Sequence, residues 1–147
     1  MAGQPLSTVD RVLELVDLFN RDMQLSFERD GLTQARAHLL WALRGGPLTQ
    51  RALADALAVT PRNVTGLVDG LVAAGHVVRE PHPSDRRAVL VTPTPAGAAL
   101  LDTMVAGYGE LEEVLLGAFS ARQVRDLHRA LGVMNERLRR RIEEEWG

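Results

Sequence analysis

Thr60-Pro61-Arg62-Asn63, near the middle of the chain, joins a helix start to two side chains able to read base-pair edges. A threonine hydroxyl suits the N-cap, and proline suits the first helical position, where its missing N–H costs nothing. Arginine can donate twice to guanine and asparagine can pair with adenine, each worth about 1–3 kcal/mol of discrimination when bidentate. Thr60, Pro61, Arg62, Asn63 and Thr65 are therefore candidates for base contact. Upstream, Thr49, Gln50 and Arg51 open another helix, where free backbone N–H groups favour phosphate. Downstream, His82, Asp85, Arg86 and Arg87 share one loop, and its basic side chains would be drawn to a nucleic-acid backbone or groove.

Residues of this kind need rigid elements to hold them. Thr49 caps a helix expected from Gln50 to about Leu57, with Leu53 and Leu57 on one face. Ala58-Val59 makes a turn. The helix opened by Thr60 carries an apolar stripe of Val64, Leu67, Val68, Leu71 and Val72, and Gly75 supplies a left-handed stop. The period then changes. Val77-Val78 and Val89-Leu90-Val91 are short β-branched runs separated by the turn formers Pro81, Pro83 and Ser84. Two helices joined by a tight turn can lay the second into a major groove, while the hairpin carries positive charge to the neighbouring minor groove. The expected fold is mainly α with a small β-hairpin wing: a winged helix-turn-helix with long N- and C-terminal dimerisation helices.

The run GLVDGLVAAGHVVREPHPSDRRAVLVTPTPAG resembles the wing region of the MarR family of bacterial transcriptional regulators. The family's Asp-x-Arg is matched by Asp85 and Arg87, and its Thr-x-x-Gly by Thr94 and Gly97. The resemblance implies that Arg87 enters the minor groove while Asp85 holds it in register. A narrow A·T-rich groove concentrates negative potential, which makes that role physically sensible. The likeness covers residues 48 to 97; elsewhere only helix pattern and length agree. Gly66 and Gly70 depart from the longer side chains many relatives carry, weakening the helix by roughly 1 kcal/mol each relative to Ala. Pro93 stands where an apolar strand residue is usual. The resemblance also implies a small aromatic or anionic effector that releases DNA, and His38 and Trp41, with Arg36 as anion partner, are its candidate site.

At 147 residues the chain allows one domain with a real core. A 33–93 DNA-binding lobe and a helical dimerisation lobe of 6–30 and 94–145 are expected within it. The absence of cysteine excludes disulfides and thiolate metal sites. The opening MAGQPLSTVD reads as no signal peptide, and no apolar run approaches ~20 residues, so a cytoplasmic location is expected. Net charge is −2, which argues against a wholly basic nucleic-acid binder. Its distribution says more. Residues 44–87 hold six Arg against four acids, while 1–43 hold four against six and 88–147 seven against nine. Positive charge gathers where the motif sits.

Ser7-Thr8-Val9-Asp10 resembles a capping box, and Val9, Val12, Leu13, Val16, Phe19 and Met23 continue a helix to about Arg29, ended by Gly31. Thr33 caps a helix from Gln34 to Arg44 with Leu39, Leu40 and Leu43 inward, and Gly45-Gly46-Pro47 breaks it. Thr94-Pro95 starts a long helix in which Gly107 and Gly109 are soft points. Ser120 to Gln123 is a capping box for a last helix carrying Val124, Leu127, Leu131, Met134, Leu138 and Ile142, nearly a heptad seam. At ~25 residues, roughly 37 Å, that stripe exceeds what a small wing domain can cover. A two-fold dimer follows, with recognition helices about 34 Å apart for a pseudo-palindromic site.

His38, His76, His82 and His128 show no metal spacing, and no catalytic triad order or phosphate loop is present. No cofactor and no enzyme activity are expected. The expectation is a homodimeric repressor of double-stranded DNA; the alternative is a winged-helix protein–protein module, against which the basic bias of 44–87 argues.

Overall fold

The computed structural model describes residues 6–147; residues 1–5, where the stretch read for a leader begins, lie outside them. Helix α1 (Thr8–Arg29) is followed by α2 (Gln34–Ala42), a single 3-10 turn (Leu43–Gly45) and strand β1 (Leu48–Thr49). Then come α3 (Gln50–Leu57), α4 (Pro61–Ala73), β2 (Val77–Pro81), β3 (Val89–Pro93), α5 (Pro95–Leu116) and α6 (Ala121–Trp146). The chain divides into a unit ending at Met104 and a second unit of Val105–Gly147, so α5 opens in the first and ends in the second.

Helix starts follow the capping chemistry. The Ser7, Thr33, Thr49, Thr60 and Ser120 hydroxyls each accept from a main-chain N–H three residues on, at 3.0–3.2 Å. Ser7 and Ser120 form full capping boxes with Asp10 and Gln123. Gly31 and Gly75 take positive φ at the two helix ends where that stop was expected. Helix α2 ends two residues short of expectation: Leu43 and Arg44 tighten into the 3-10 turn, a common way to finish a helix before a glycine. The α3–α4 turn is closed by Ala58 in the left-handed region, φ 52°, with Val59 N donating to Ala54 O at 3.0 Å.

The sheet is larger than a hairpin. Its order is β1-β3-β2, all antiparallel, with Leu48 opposite Val91 and Thr49 opposite Leu90. β2 and β3 pair from Val77 opposite Pro93 to Pro81 opposite Val89. Pro93 therefore ends the strand instead of interrupting it. Thr94 holds the wing's root: its hydroxyl donates to Gly75 O at 2.6 Å and accepts from Gly97 N at 3.1 Å, and its amide donates to His76 O at 3.0 Å. Gly97 packs so tightly on His76 that an added Cβ would collide with the His76 carbonyl oxygen.

The core lies wholly in the first unit. Leu39, Leu40, Leu43, Leu53, Val64, Val68, Leu71, Val77 and Val91 are all but inaccessible to solvent. Leu67 is half-buried against this core, but Val72 is exposed, so the stripe on α4 is narrower than its apolar residues suggest. Helices α1 and α6 contain no buried residue at all. Val9, Leu13 and Val16 on α1 are exposed, as are Leu131, Met134, Leu138 and Ile142 on α6. Among the described residues, no helix is long and apolar enough to cross a membrane.

Candidate nucleic-acid interface

The start of α4 is an exposed, pre-formed edge. The Thr60 hydroxyl is engaged in the cap and Pro61 sits in the first turn, while Arg62 and Asn63 are exposed side chains with no hydrogen-bond partner among the described residues. Thr65 is exposed too, but its hydroxyl donates to Pro61 O at 2.9 Å. What Thr65 offers outward is thus a methyl group and an acceptor lone pair.

The wing tip is built by acceptors, not by charge attraction. His82 Nδ1 accepts from the Ser84 and Asp85 amides, each at 3.1 Å. A backbone N–H can only donate, so Nδ1 is the acceptor in both bonds, and His82 shapes the tip where the sequence suggested another basic contact. The Asp85 carboxylate accepts from Arg87 N at 3.0 Å, and Ala88 N donates to Asp85 O at 3.1 Å, closing a four-residue turn. Asp85 thereby fixes the Arg87 backbone and makes no ion pair with its guanidinium. Arg86 and Arg87 occupy the two central positions of that turn, exposed and without ion-pair partners among the described residues.

Sequence reasoning missed the residue joining these parts. Arg79 shares a strand face with the buried Val77, on the side toward the helices. Its Nε donates to Gln50 Oε1 at 2.7 Å, and its Nη2 to Asp69 Oδ1 at 2.5 Å and to Thr65 O at 3.3 Å. One guanidinium thus ties β2 to α3 and to two turns of α4. Alternation with the buried Val77 puts Arg79 on the helix side of the strand, but its partners lie too far along the chain for the sequence to name. Gln50, expected to touch phosphate, is half-buried and held by Arg79. Thr49 is committed to its cap and to β1, and Arg51 is exposed without a partner among the described residues.

Each candidate effector residue has its own neighbour. His38 meets Phe27 edge to face at 6.2 Å between ring centroids. Trp41 lies under the guanidinium of Arg44, 4.8 Å from the ring centroid. Arg36 rests on α4 against Gly70, where an added Cβ would collide with its guanidinium. Gly70 is thus the seat of an arginine from α2, which explains one of the two helix glycines. Beside Gly66, a shallow depression of about 430 Å³ is lined by Ala35, Val59, Arg62, Asn63 and Leu67. No group of three or more His, Cys, Asp or Glu among the described residues could hold a metal ion.

A model of the MarR family matches residues 30–88. The HTH-type transcriptional repressor NicR of Pseudomonas putida is 40% identical over 91 residues, covering 61% of this chain and 58% of its own. The chain thus spans little more than half of that relative's length. The transcriptional activatory protein BadR of Rhodopseudomonas palustris is 30% identical over 135 residues, covering 85% of this chain and 75% of its own. Among solved structures, a mutant of MarR from E. coli superposes with a TM-score of 0.68 at 27% identity, covering 89% of this chain and 98% of that one.

Proposed function

The chain belongs to the MarR family of transcriptional regulators, and from that premise we propose that it represses transcription as a homodimer on a pseudo-palindromic double-stranded DNA site. Arg62 and Asn63 read bases in the major groove, with Thr60, Pro61 and Thr65 packing beside them. Arg86 and Arg87 enter the flanking minor groove, and Arg51 and the start of α3 meet phosphate. The observation that carries this is the pairing of two cationic edges without partners among the described residues, the α4 start and the wing tip, on one scaffold in which Arg79 ties β2 to α3 and α4. As a regulator of DNA it acts in the cytoplasm, and it is not an enzyme.

Dimerisation is supported by α1 and α6, which bury no residue and leave Val9, Leu13, Val16, Leu131, Met134, Leu138 and Ile142 exposed. A stripe of that length in water is an interface in waiting. Repression is favoured by the name of NicR; the name of BadR favours activation, and a reporter gene downstream of the selected site separates the two. An aromatic or anionic effector acts through Arg36: drawing its guanidinium off Gly70 would disturb α4 directly.

The test is binding to random duplex as salt is raised, followed by selection from a random pool. Steep loss of affinity with salt and enrichment of an inverted repeat are expected, because neutralised phosphates release counterions. A flat salt response with no enriched sequence would overturn the reading.

A further inference from the structure

The two edges of the wing are mounted differently. β3 is paired with β1, with Leu48 opposite Val91 and Thr49 opposite Leu90. β2 lies at the edge of the sheet and pairs with β3 alone. Arg79 stands opposite Val91, in the same row across the sheet, and its guanidinium supplies the attachment that the β2 edge lacks. Three acceptors from two helices converge on it. Gln50 Oε1 meets Nε at 2.7 Å, while Asp69 Oδ1 and Thr65 O meet Nη2 at 2.5 and 3.3 Å. A planar guanidinium holds such partners at fixed angles, as a lone ammonium cannot. Past this row, the hydrogen bonds of residues 80–89 among the described residues stay within the hairpin. Arg79 is therefore the outermost hydrogen-bonded tie between β2 and the helices.

Resting on the DNA-binding reading above, we propose that Arg79 is a positioning residue that fixes the angle between the wing and α4, and with it the base-pair spacing between major- and minor-groove contacts. The arm beyond it is long enough for that angle to matter. From Arg79 to Pro83 the hairpin runs on for roughly 13 Å, at about 3.3 Å per residue. A tilt of about 15° at the row of Arg79 would carry the far end through roughly 3.4 Å, the rise of one base pair. Arg86 and Arg87 would then meet a different stretch of groove with their own turn intact. Arg79 needs no contact with DNA for this. It acts through where it holds the strand.

The experiment is a mutant cycle on the full chain, with the duplex site selected from a random pool. Arg79→Met is made in the parent and in a wing-null background carrying Arg86→Ala and Arg87→Ala, with thermal unfolding measured alongside. In the parent it is expected to weaken binding about fivefold, and in the wing-null background to change nothing, because the contact it aims is already gone. General loosening of the reading head would weaken both alike. A base pair inserted between the inner and flanking positions of the site should cost the parent more affinity than it costs Arg79→Met. Arg79→Lys keeps a charge beside Asp69 and should behave as Arg79→Met does. Should Arg79→Met fail to fold, Gln50→Ala with Asp69→Ala carries the same cycle, since it strips both side-chain acceptors from a guanidinium left in place. Equal losses in the two backgrounds, an unchanged response to the inserted base pair, or full rescue by lysine overturns this proposal alone. A wing-null chain that binds like the parent overturns the wing assignment and the proposal together. A parent chain that enriches no sequence overturns the DNA-binding reading with it.

Discussion

The Asp85 carboxylate accepts a hydrogen bond from the main-chain amide of Arg87, and the Arg87 guanidinium is left unpaired among the described residues. A negative side chain at a DNA-facing tip would ordinarily repel phosphate. Here its oxygen shapes the turn that presents the cations, so shape and charge can be separated by substitution. Arg87→Ala should weaken duplex binding well beyond twofold with no change in the unfolding midpoint, because an exposed side chain away from packing affects stability by less than about 0.5 kcal/mol. Asp85→Asn keeps the acceptor and should bind at least as well as the parent, whereas Asp85→Ala should bind worse than Asp85→Asn despite the same net charge. Fluorescence anisotropy on the selected site checks both.

Two glycines should respond in opposite directions to the same substitution. A Cβ on Gly97 would meet the backbone of His76, which cannot yield as a side chain can, so Gly97→Ala should destabilise by about 1–3 kcal/mol or prevent folding. A Cβ on Gly66 would meet nothing within 4 Å, so Gly66→Ala should stabilise by up to about 1 kcal/mol through helix propensity. Urea denaturation reads both signs. A stabilised Gly97→Ala would mean that the root of the wing is not packed as described.

Why the caps were legible and Arg79 was not comes down to distance along the chain. A cap joins residues three apart, so Ser7, Thr33, Thr49, Thr60 and Ser120 could each be placed from neighbouring residues alone. The partners of Arg79 lie 10 to 29 residues away, and no local pattern brings Gln50, Thr65 and Asp69 to it. The two-residue β1 escaped for the same reason: Leu48 and Thr49 become a strand only because β3 passes beside them. Arg36 on Gly70 is likewise a helix–helix meeting that neither helix announces. Val72 failed differently, since residue type cannot tell the edge of an apolar stripe from its centre.

Exposed leucines on α6 set up a test of assembly. Leu131→Arg with Leu138→Arg should leave the unit ending at Met104 folded, since its core includes neither residue. The same pair should convert a dimer mass to a monomer mass in light scattering at micromolar concentration. Affinity for an inverted repeat should fall more than affinity for a half-site, because two linked heads gain from simultaneous engagement. A parent chain already of monomer mass would remove the homodimer from the proposal.

The first helix supplies a pH dependence with a definite sign. The Ser7 main-chain amide, and secondly its hydroxyl, hold the Asp10 carboxyl below the usual aspartate range. A carboxyl depressed in the folded state stabilises above its unfolded pKa, and that contribution is lost as pH falls through the folded value. The start of α1 should therefore fray on acidification below the ordinary aspartate range. Asp10→Asn should reduce the acid-side loss of helicity seen by far-ultraviolet circular dichroism, and parent and variant should converge at low pH.

Thr94 gives the wing an asymmetry with consequences for how its length can vary. The hairpin is clamped at its root by three hydrogen bonds of one residue, while its far end is closed by local contacts among His82, Ser84, Asp85, Arg87 and Ala88. Residues added at the tip would lengthen the arm and alter its reach into a groove without disturbing α5 behind it. One residue more or fewer within β3, before the clamp, would turn Val91 out of the interior, because strand side chains alternate. Diversification of this arm is thereby confined to its fingertip.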